Sequence, residues 1–409
     1  MESSPKGKVK QDARVLGLIC AGHFLSHFYF LLLPPLFYWI KIDFGLSYTQ
    51  LGVLMSILYA TAGIFQVPIG FLVDRIGARL VLTTGLLMMS VSFGLMGFAS
   101  EYWVFMLLAV IGSMGHSVFH PADYTILNSS IDQSRMGRAF SIHTFAGHMG
   151  SAAAPVIVLF LAALWDWRVA LMISGILGLV ATLALTTQWN NLHDDILPKK
   201  KPDAGEAGEV QSGLALLMSK PILKFFMFFA LLSMVASGMY AFSVVALVEL
   251  HGMTVKWAGN ALTAYLVLSA IGILIGGYYA DKTTRHDLMA AGAFIACAIV
   301  ITIVAAVSMP ILLVIVVLSF AGFAQGIIRP ARDMMVRAVA PKGSVGKVFG
   351  FVSAGIAAGG AISPTLFGYV MDLGRPEWVF YLMAIFMVVA VLTVAVPKQT
   401  QQTTAQAAE

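Results

Sequence analysis

The chain has 409 residues, of which 59% are hydrophobic and only 11% charged, with a formal net charge of +5. A soluble domain carries about a quarter of its residues charged, so this composition excludes a soluble globular fold and requires much of the apolar material to face lipid. Nothing alternates in the manner of barrel strands, and in hydrocarbon every backbone polar group must be satisfied within its own segment, which leaves α-helices.

In chain order, the N-terminal residues 1–14 are basic. The apolar stretch after them is too long for a signal peptide and lacks a small-residue cleavage site, so it is read as a retained first span. Windows of roughly 20 apolar residues, enough to cross about 30 Å of hydrocarbon, predict spans at 15–40, 48–72, 79–98, 102–129, 138–164 and 168–187. A second set follows at 221–249, 256–280, 287–307, 309–336, 346–371 and 377–396, making twelve. Residues 193–217, with lysines at Lys199, Lys200 and Lys201 followed by DAGEAGE, are too polar to bury a core and are predicted to link the halves. The expected units are an N-terminal six-helix bundle, 1–192, and a C-terminal one, 218–409.

With the N-terminus placed in the cytoplasm, about 19 of the 25 lysines and arginines fall on the cytoplasmic side, which the positive-inside rule favours. Both termini are then expected to be cytoplasmic. The basic excess is topological and implies no nucleic-acid partner. Cys20 and Cys297 each lie within an apolar span, so neither a disulfide framework nor a metal cluster is expected.

The two sets of spans repeat. At a shift of about 207, FGLSYTQLG (44–52) falls on HGMTVKWAG (251–259) and Asp74 falls on Asp281. At a shift of about 209, HPAD (120–123) falls on RPAR (329–332) and Pro155 on Pro364. Six spans per unit give both copies the same orientation. The halves are therefore predicted to be related by a pseudo-twofold along the membrane normal, with a solute site near midplane between them.

The loop after the second predicted span, Gly70-Phe71-Leu72-Val73-Asp74-Arg75-Ile76-Gly77-Ala78-Arg79, resembles the G-x-L-x-D-R-x-G-R-K signature of the major facilitator superfamily, departing from it at Ala78. A weaker copy, from Gly277 to Lys282 with Asp281, occupies the same place in the second half. Asp74, Arg75 and Arg79 are read as a conformational element, with Asp74 capping a neighbouring helix and pairing with an arginine, and Gly70 and Gly77 permitting close backbone approach. The segments Gly115-His116-Ser117-Val118-Phe119-His120-Pro121 and Gly147-His148-Met149-Gly150 with Pro155 resemble the fosmidomycin-resistance branch, although Ala154-Pro155 stands where that branch has G-P. The resemblance implies an all-α, multi-pass protein of the bacterial cytoplasmic membrane with twelve transmembrane helices.

Six of nine histidines lie within apolar spans: His23, His27, His116, His120, His143 and His148. His23/His27 and His116/His120 are each spaced i, i+4 and share a helical face. Ionisable groups at such depth are costly and mark solute or proton pathways. Histidine changes charge near physiological pH, which makes these residues, with Asp123, candidates for proton coupling. In the tenth predicted span Arg329 and Arg332 lie one turn apart and offer forked hydrogen bonds to a carboxylate, phosphate or phosphonate. Two readings of this pair stand: Arg329 binds an anionic solute, or the pair closes an inner gate against Asp123. Since Asp123 superposes on Arg332, the favoured division gives Asp123, Arg332 and Asp333 to gating, and Arg329, with His27, His116 and His120, to solute. Tyr29 and Tyr240 occupy matching positions and are expected to face the central cavity if the first and seventh spans line it as they do in relatives.

These readings describe a secondary active transporter, working by alternating access and driven by a proton gradient, for a small organic or amphipathic anion. A multidrug/proton antiporter and a passive uniporter are the alternatives. No nucleophile, base and acid constellation suggests an enzyme, and no Walker loop suggests an ATP-driven pump. No cofactor is expected, and the partners are the solute and the lipid bilayer around a monomer.

Overall fold

The computed structural model describes residues 5–132, 135–192, 216–341 and 345–394. The described residues form helices and connecting turns, with no strand among them. In the first half they are α1 (Pro5–Phe30), α2 (Phe37–Phe44), α3 (Tyr48–Ile76), α4 (Ala78–Met96), α5 (Tyr102–His116), α6 (Phe119–Ser130), α7 (Met136–Leu164) and α8 (Trp167–Thr187). The second half contains α9 (Lys220–His251), α10 (Val255–Ala280), α11 (His286–Ala306), α12 (Ile311–Val339), α13 (Val345–Asp372) and α14 (Glu377–Val394).

Among the described residues eleven segments are long and apolar enough to cross a membrane, and Glu377–Thr393 of α14 is a further, shorter apolar helix. The twelfth predicted span, 377–396, therefore corresponds to a shorter helix within the described residues. The predicted linker, 193–217, lies almost wholly outside them.

Two predicted spans are interrupted. The first bends at Pro34 and Pro35, which form a short 3-10 turn between α1 and α2. The fourth breaks between α5 and α6 at Ser117 and Val118. Each proline removes a backbone donor and crowds the carbonyl four residues earlier, so Pro121 leaves the Ser117 carbonyl without its helical partner. This break falls between His116 and His120.

The repeat is visible in the way corresponding helices begin. Gly45 and Gly252 end α2 and α9 in the left-handed conformation, with φ of 63° and 61°, a turn that glycine adopts without Cβ strain. Two residues later Ser47 and Thr254 cap α3 and α10 by accepting from the backbone N–H of Gln50 and Trp257. Packing repeats as well. In the first half α1 packs on α7 and α4 on α8; in the second, their counterparts α9 and α13 pack together, as do α11 and α14.

The halves meet through α3 against α13 and α7 against α10. Under the repeat α3 corresponds to α10 and α7 to α13, so each contact is the counterpart of the other. Residues 70–79 and 277–285 mark one end of the bundle, the motif end, and residues 45–48 and 372–375 mark the far end. At the far end the halves are in contact: Ser56 and Thr365 share a hydrogen bond of 2.9 Å, and Gly52 lies so near the Pro364 carbonyl that a Cβ would come within 2.3 Å of it. Toward the motif end α7 and α10 part around a cavity of about 410 Å³.

Candidate functional site

Helix α12 places Arg329 one residue before Pro330, which lines the cavity between α7 and α10. Across that gap α7 supplies His148, whose Nε2 lies 2.9 Å from Arg329 Nη1. Arg329 Nη2 donates to the Tyr240 hydroxyl of α9 at 3.4 Å. Both partners are uncharged when His148 is neutral, and among the described residues no carboxylate forms an ion pair with Arg329. A guanidinium brought to the middle of a membrane protein and left without a counter-ion attracts anions strongly.

From His148 a chain of imidazoles leads into the first half. The ring centroids of His148 and His27 are 6.5 Å apart, those of His27 and His116 6.1 Å, and those of His27 and His120 6.4 Å. His27 Nδ1 also lies 3.4 Å from the Ser151 hydroxyl. His27, His116, His120 and His148 are each partly exposed. His23 continues the chain 4.7 Å from His27 and stacks on His143 at 3.8 Å.

The chain ends at Asp123. Its Oδ2 lies 2.9 Å from His143 Nε2 and 3.3 Å from His23 Nδ1, while its Oδ1 is buried without a partner. Asp123, His143 and His23 are 0%, 1% and 3% exposed. A carboxylate removed from water this completely either takes up a proton itself or has positive charge beside it, and the adjacent groups able to supply that charge are imidazoles. The three donor atoms lie within 4.8 Å of one another, close enough to hold a transition metal ion. A proton on one imidazole meets the same need for charge. Gly147 makes room for this packing, since a Cβ there would come within 2.6 Å of the His23 ring.

The expected pairing of Asp123 with Arg332 is not present in this conformation. Asp123 points into its own half toward His143 and His23. Arg332 binds Asp333, Nε to Oδ1 at 2.8 Å, and lies over the Phe229 ring at 4.4 Å. Superposition of two residues under a repeat places them on equivalent faces, not in contact across the axis. The expectation for Tyr29 also requires correction. Its side chain is fully buried within the first half, its hydroxyl donates to the Ser174 carbonyl at 2.6 Å, and its ring stacks on Phe93. Tyr240 is partly exposed and accepts from Arg329.

The signature loop lies at the motif end. Asp74 is exposed on the wall of a cleft of about 390 Å³ that also involves Pro121 and Thr125 of α6. Arg79 lies over the Trp189 ring and donates to its carbonyl at 3.4 Å, while Arg75 and Asp281 are exposed. Gly77 has a φ of 95°, which explains glycine there, but Gly70 and Gly277 approach nothing within 4 Å. Close backbone contact is thus not their role in this conformation.

Sequence reasoning did not identify Tyr59 or Phe30. Phe30 lies 4.6 Å from His116 and 4.8 Å from Tyr59 between ring centroids, so these aromatics flank the histidines from α1 and α3. A patterned aromatic among many apolar residues carries no signal that separates a cavity wall from core.

The model of the Major Facilitator Superfamily matches residues 19–261 and 226–409. The membrane sensor protein UhpC of Escherichia coli is 23% identical over 251 residues, 58% of this chain and 57% of its own length, so the chain spans little more than half of that relative. The fosmidomycin resistance protein of Escherichia coli is 24% identical over 400 residues, 95% of this chain and 94% of its own. Among solved structures, a bacterial homologue of the human lysosomal transporter Spinster, in an inward-facing and unoccupied conformation, superposes with a TM-score of 0.77 at 16% identity, covering 96% of this chain and 97% of that one. The fold is that of transporters and not of an enzyme, and the chain belongs to the Major Facilitator Superfamily.

Proposed function

We propose that this protein is a secondary active transporter that moves a small organic anion across the bacterial cytoplasmic membrane by alternating access, coupled to protons. Arg329 carries this reading: its charge lies beside Pro330 and His148, which line the cavity between α7 and α10, and among the described residues it bonds to His148 and Tyr240 and to no carboxylate. His27, His116 and His120 follow His148 ring to ring and are partly exposed, and Phe30 and Tyr59 lie beside His116 as aromatic surface suited to an organic body. The proton is assigned to the histidine chain that ends at Asp123.

We read the chain as twelve spans in two bundles about a pseudo-twofold, counting α14 as the last; an even count puts both termini on one side, the excess of lysine and arginine in the motif-end loops favours the cytoplasm, and the motif end is then the cytoplasmic face. On that assignment the halves meet at the outer face and the cavity opens inward. The working unit is a monomer in the bilayer without a cofactor.

The test is thermal stabilisation of the purified protein by organic carboxylates, sulfonates and cationic drugs, wild type beside Arg329→Gln. A bound ligand raises the unfolding temperature in proportion to its occupancy. Stabilisation by an anion in the wild type, lost in Arg329→Gln, is the expected result. Stabilisation by cationic compounds alone, equal in both proteins, would replace this reading with multidrug export.

A further inference from the structure

The hydrogen bond between Arg329 and His148 joins the two halves of the molecule, since Arg329 belongs to α12 and His148 to α7. Its chemistry fixes the protonation of one partner. A guanidinium has only donors, so His148 Nε2 must accept at 2.9 Å, and the imidazole in this pairing is neutral. Were His148 protonated at Nε2, two cations would face each other at that distance.

Other groups near His148 do not relieve this repulsion. From α1 come His27, at 6.5 Å, and His23 behind it. Helix α12 adds Arg332 one turn beyond Arg329, and α10 contributes Tyr278 to the same cavity. The residues of α6 closest to this region, His120 and Tyr124, lie beside His23 and His143. The one charged group on α8, Arg168, is at the far end and bound to Asp43. Arg332 is itself bound to Asp333, and Asp123 lies behind His23 and His143; among the described residues neither carboxylate, nor any other, forms an ion pair with His148.

We propose that the Arg329 and His148 pair couples anion and proton: a solute anion inserts between the guanidinium and a protonated imidazole, so that anion and proton enter the site together and the transport is symport. This rests on the reading of Arg329 as the anion site. The anion replaces the neutral imidazole as the acceptor for Arg329 Nη1, and the released Nε2 takes a proton and donates to the anion. No bond other than N–H forms or breaks. Charge balances because one anion and one proton enter a site that held a single cation. By linkage, whatever favours the proton favours the anion by the same factor. The same step removes the direct bond between α7 and α12 and replaces it with a bridge through the solute, so occupancy decides what joins the halves.

The experiment is isothermal titration of the purified full-length protein with benzoate, gluconate and methanesulfonate, which all stay ionised between about pH 6 and about pH 8, on either side of the ordinary histidine value near 6.5. Each titration is run in two buffers of different ionisation enthalpy, so that protons taken up are counted directly. In the wild type the best-bound probe is expected to take up a proton on binding and to weaken by up to about tenfold per pH unit on the alkaline side. Binding by His148→Asn is expected to lose both proton uptake and pH dependence, and Arg329→Gln is expected not to bind at all. Proton release on binding, or no proton exchange in the wild type, would overturn the proposal while leaving the anion site intact. Undiminished uptake in a folded His148→Asn would move the proton to another group and equally overturn it. Failure of every probe at both pH values would remove the anion reading itself, and this proposal with it.

Discussion

Asp123 poses the main electrostatic problem of the first half, a carboxylate with no exposed surface whose neighbours are histidines. In Asp123→Asn the need for a neighbouring positive charge disappears and the shape is kept, so the chain loses its reason to hold a proton while the fold survives. The variant is expected to exchange solute across proteoliposome membranes at near the wild-type rate but to lose accumulation driven by a pH gradient. Equal loss of exchange and accumulation would make Asp123 a structural group. Chelation offers a parallel check on the same cluster, because His23, Asp123 and His143 are also an adequate donor set for a metal ion. Activity abolished by a chelator and restored by Zn²⁺ would put a metal where this account puts a proton. Much of this cluster was legible in the sequence, because ionisable residues stand out against apolar spans and the i, i+4 spacing fixes a common face. Which neighbour that face meets was not legible. Tyr29 turned toward Ser174 and Phe93, and Asp123 toward His143, because helical periodicity gives an angle about one axis and says nothing of the partner on the other side.

Helices in this protein approach closely where side chains are absent, and the position of Arg329 depends on one such approach. Arg329 lies one turn beyond Gly326 on α12, and a Cβ on Gly326 would come within 2.1 Å of the Ser269 carbonyl of α10. Neither backbone can yield without moving its helix, so Gly326→Ala must displace α12 where it carries the guanidinium. The substitution is expected to cost about 1–3 kcal/mol of stability by overpacking and to weaken anion binding by about tenfold or more. Gly137→Ala, where a Cβ would meet nothing within 4 Å, serves as the control in the same thermal unfolding and titration measurements. Binding unchanged in a destabilised Gly326→Ala would show that the position of Arg329 does not depend on this contact. At this scale hydropathy located the spans well, since about 30 Å of hydrocarbon imposes a length that composition reveals. It missed the breaks at Pro34 and Ser117, because a window average hides a local loss of hydrogen bonding.

For the molecule as a whole, transport requires the contact at the far end to open, and Asp372 holds that contact in a specific way. The first backbone N–H groups of any helix lack partners within it. At the start of α3, Ser47 and Gln50 satisfy each other in a capping box, whereas Tyr48 and Thr49 donate their N–H groups to the two carboxylate oxygens of Asp372, at 2.7 and 2.8 Å. Thr49 adds its hydroxyl at 2.7 Å, and Tyr48 reaches Glu249 of α9 at 3.0 Å. A helix of the first half is thus capped by a carboxylate of the second, and the positive end of the α3 dipole strengthens the bond. The cap exists only while the far end is closed, so it stabilises this conformation over the one open on that side. Because the site is solvent-accessible, its contribution is expected to be about 1 kcal/mol, enough to change the ratio of the two states by roughly fivefold. Spin labels at Ile42→Cys and Leu373→Cys, in a chain whose Cys20 and Cys297 are replaced by alanine, span this contact from exposed positions on opposite halves. Asp372→Asn is expected to move part of the distance distribution to longer separations in the absence of solute. An unchanged distribution would mean that apolar packing of α3 on α13 holds the far end by itself, with the charge at Asp372 serving only to cap α3.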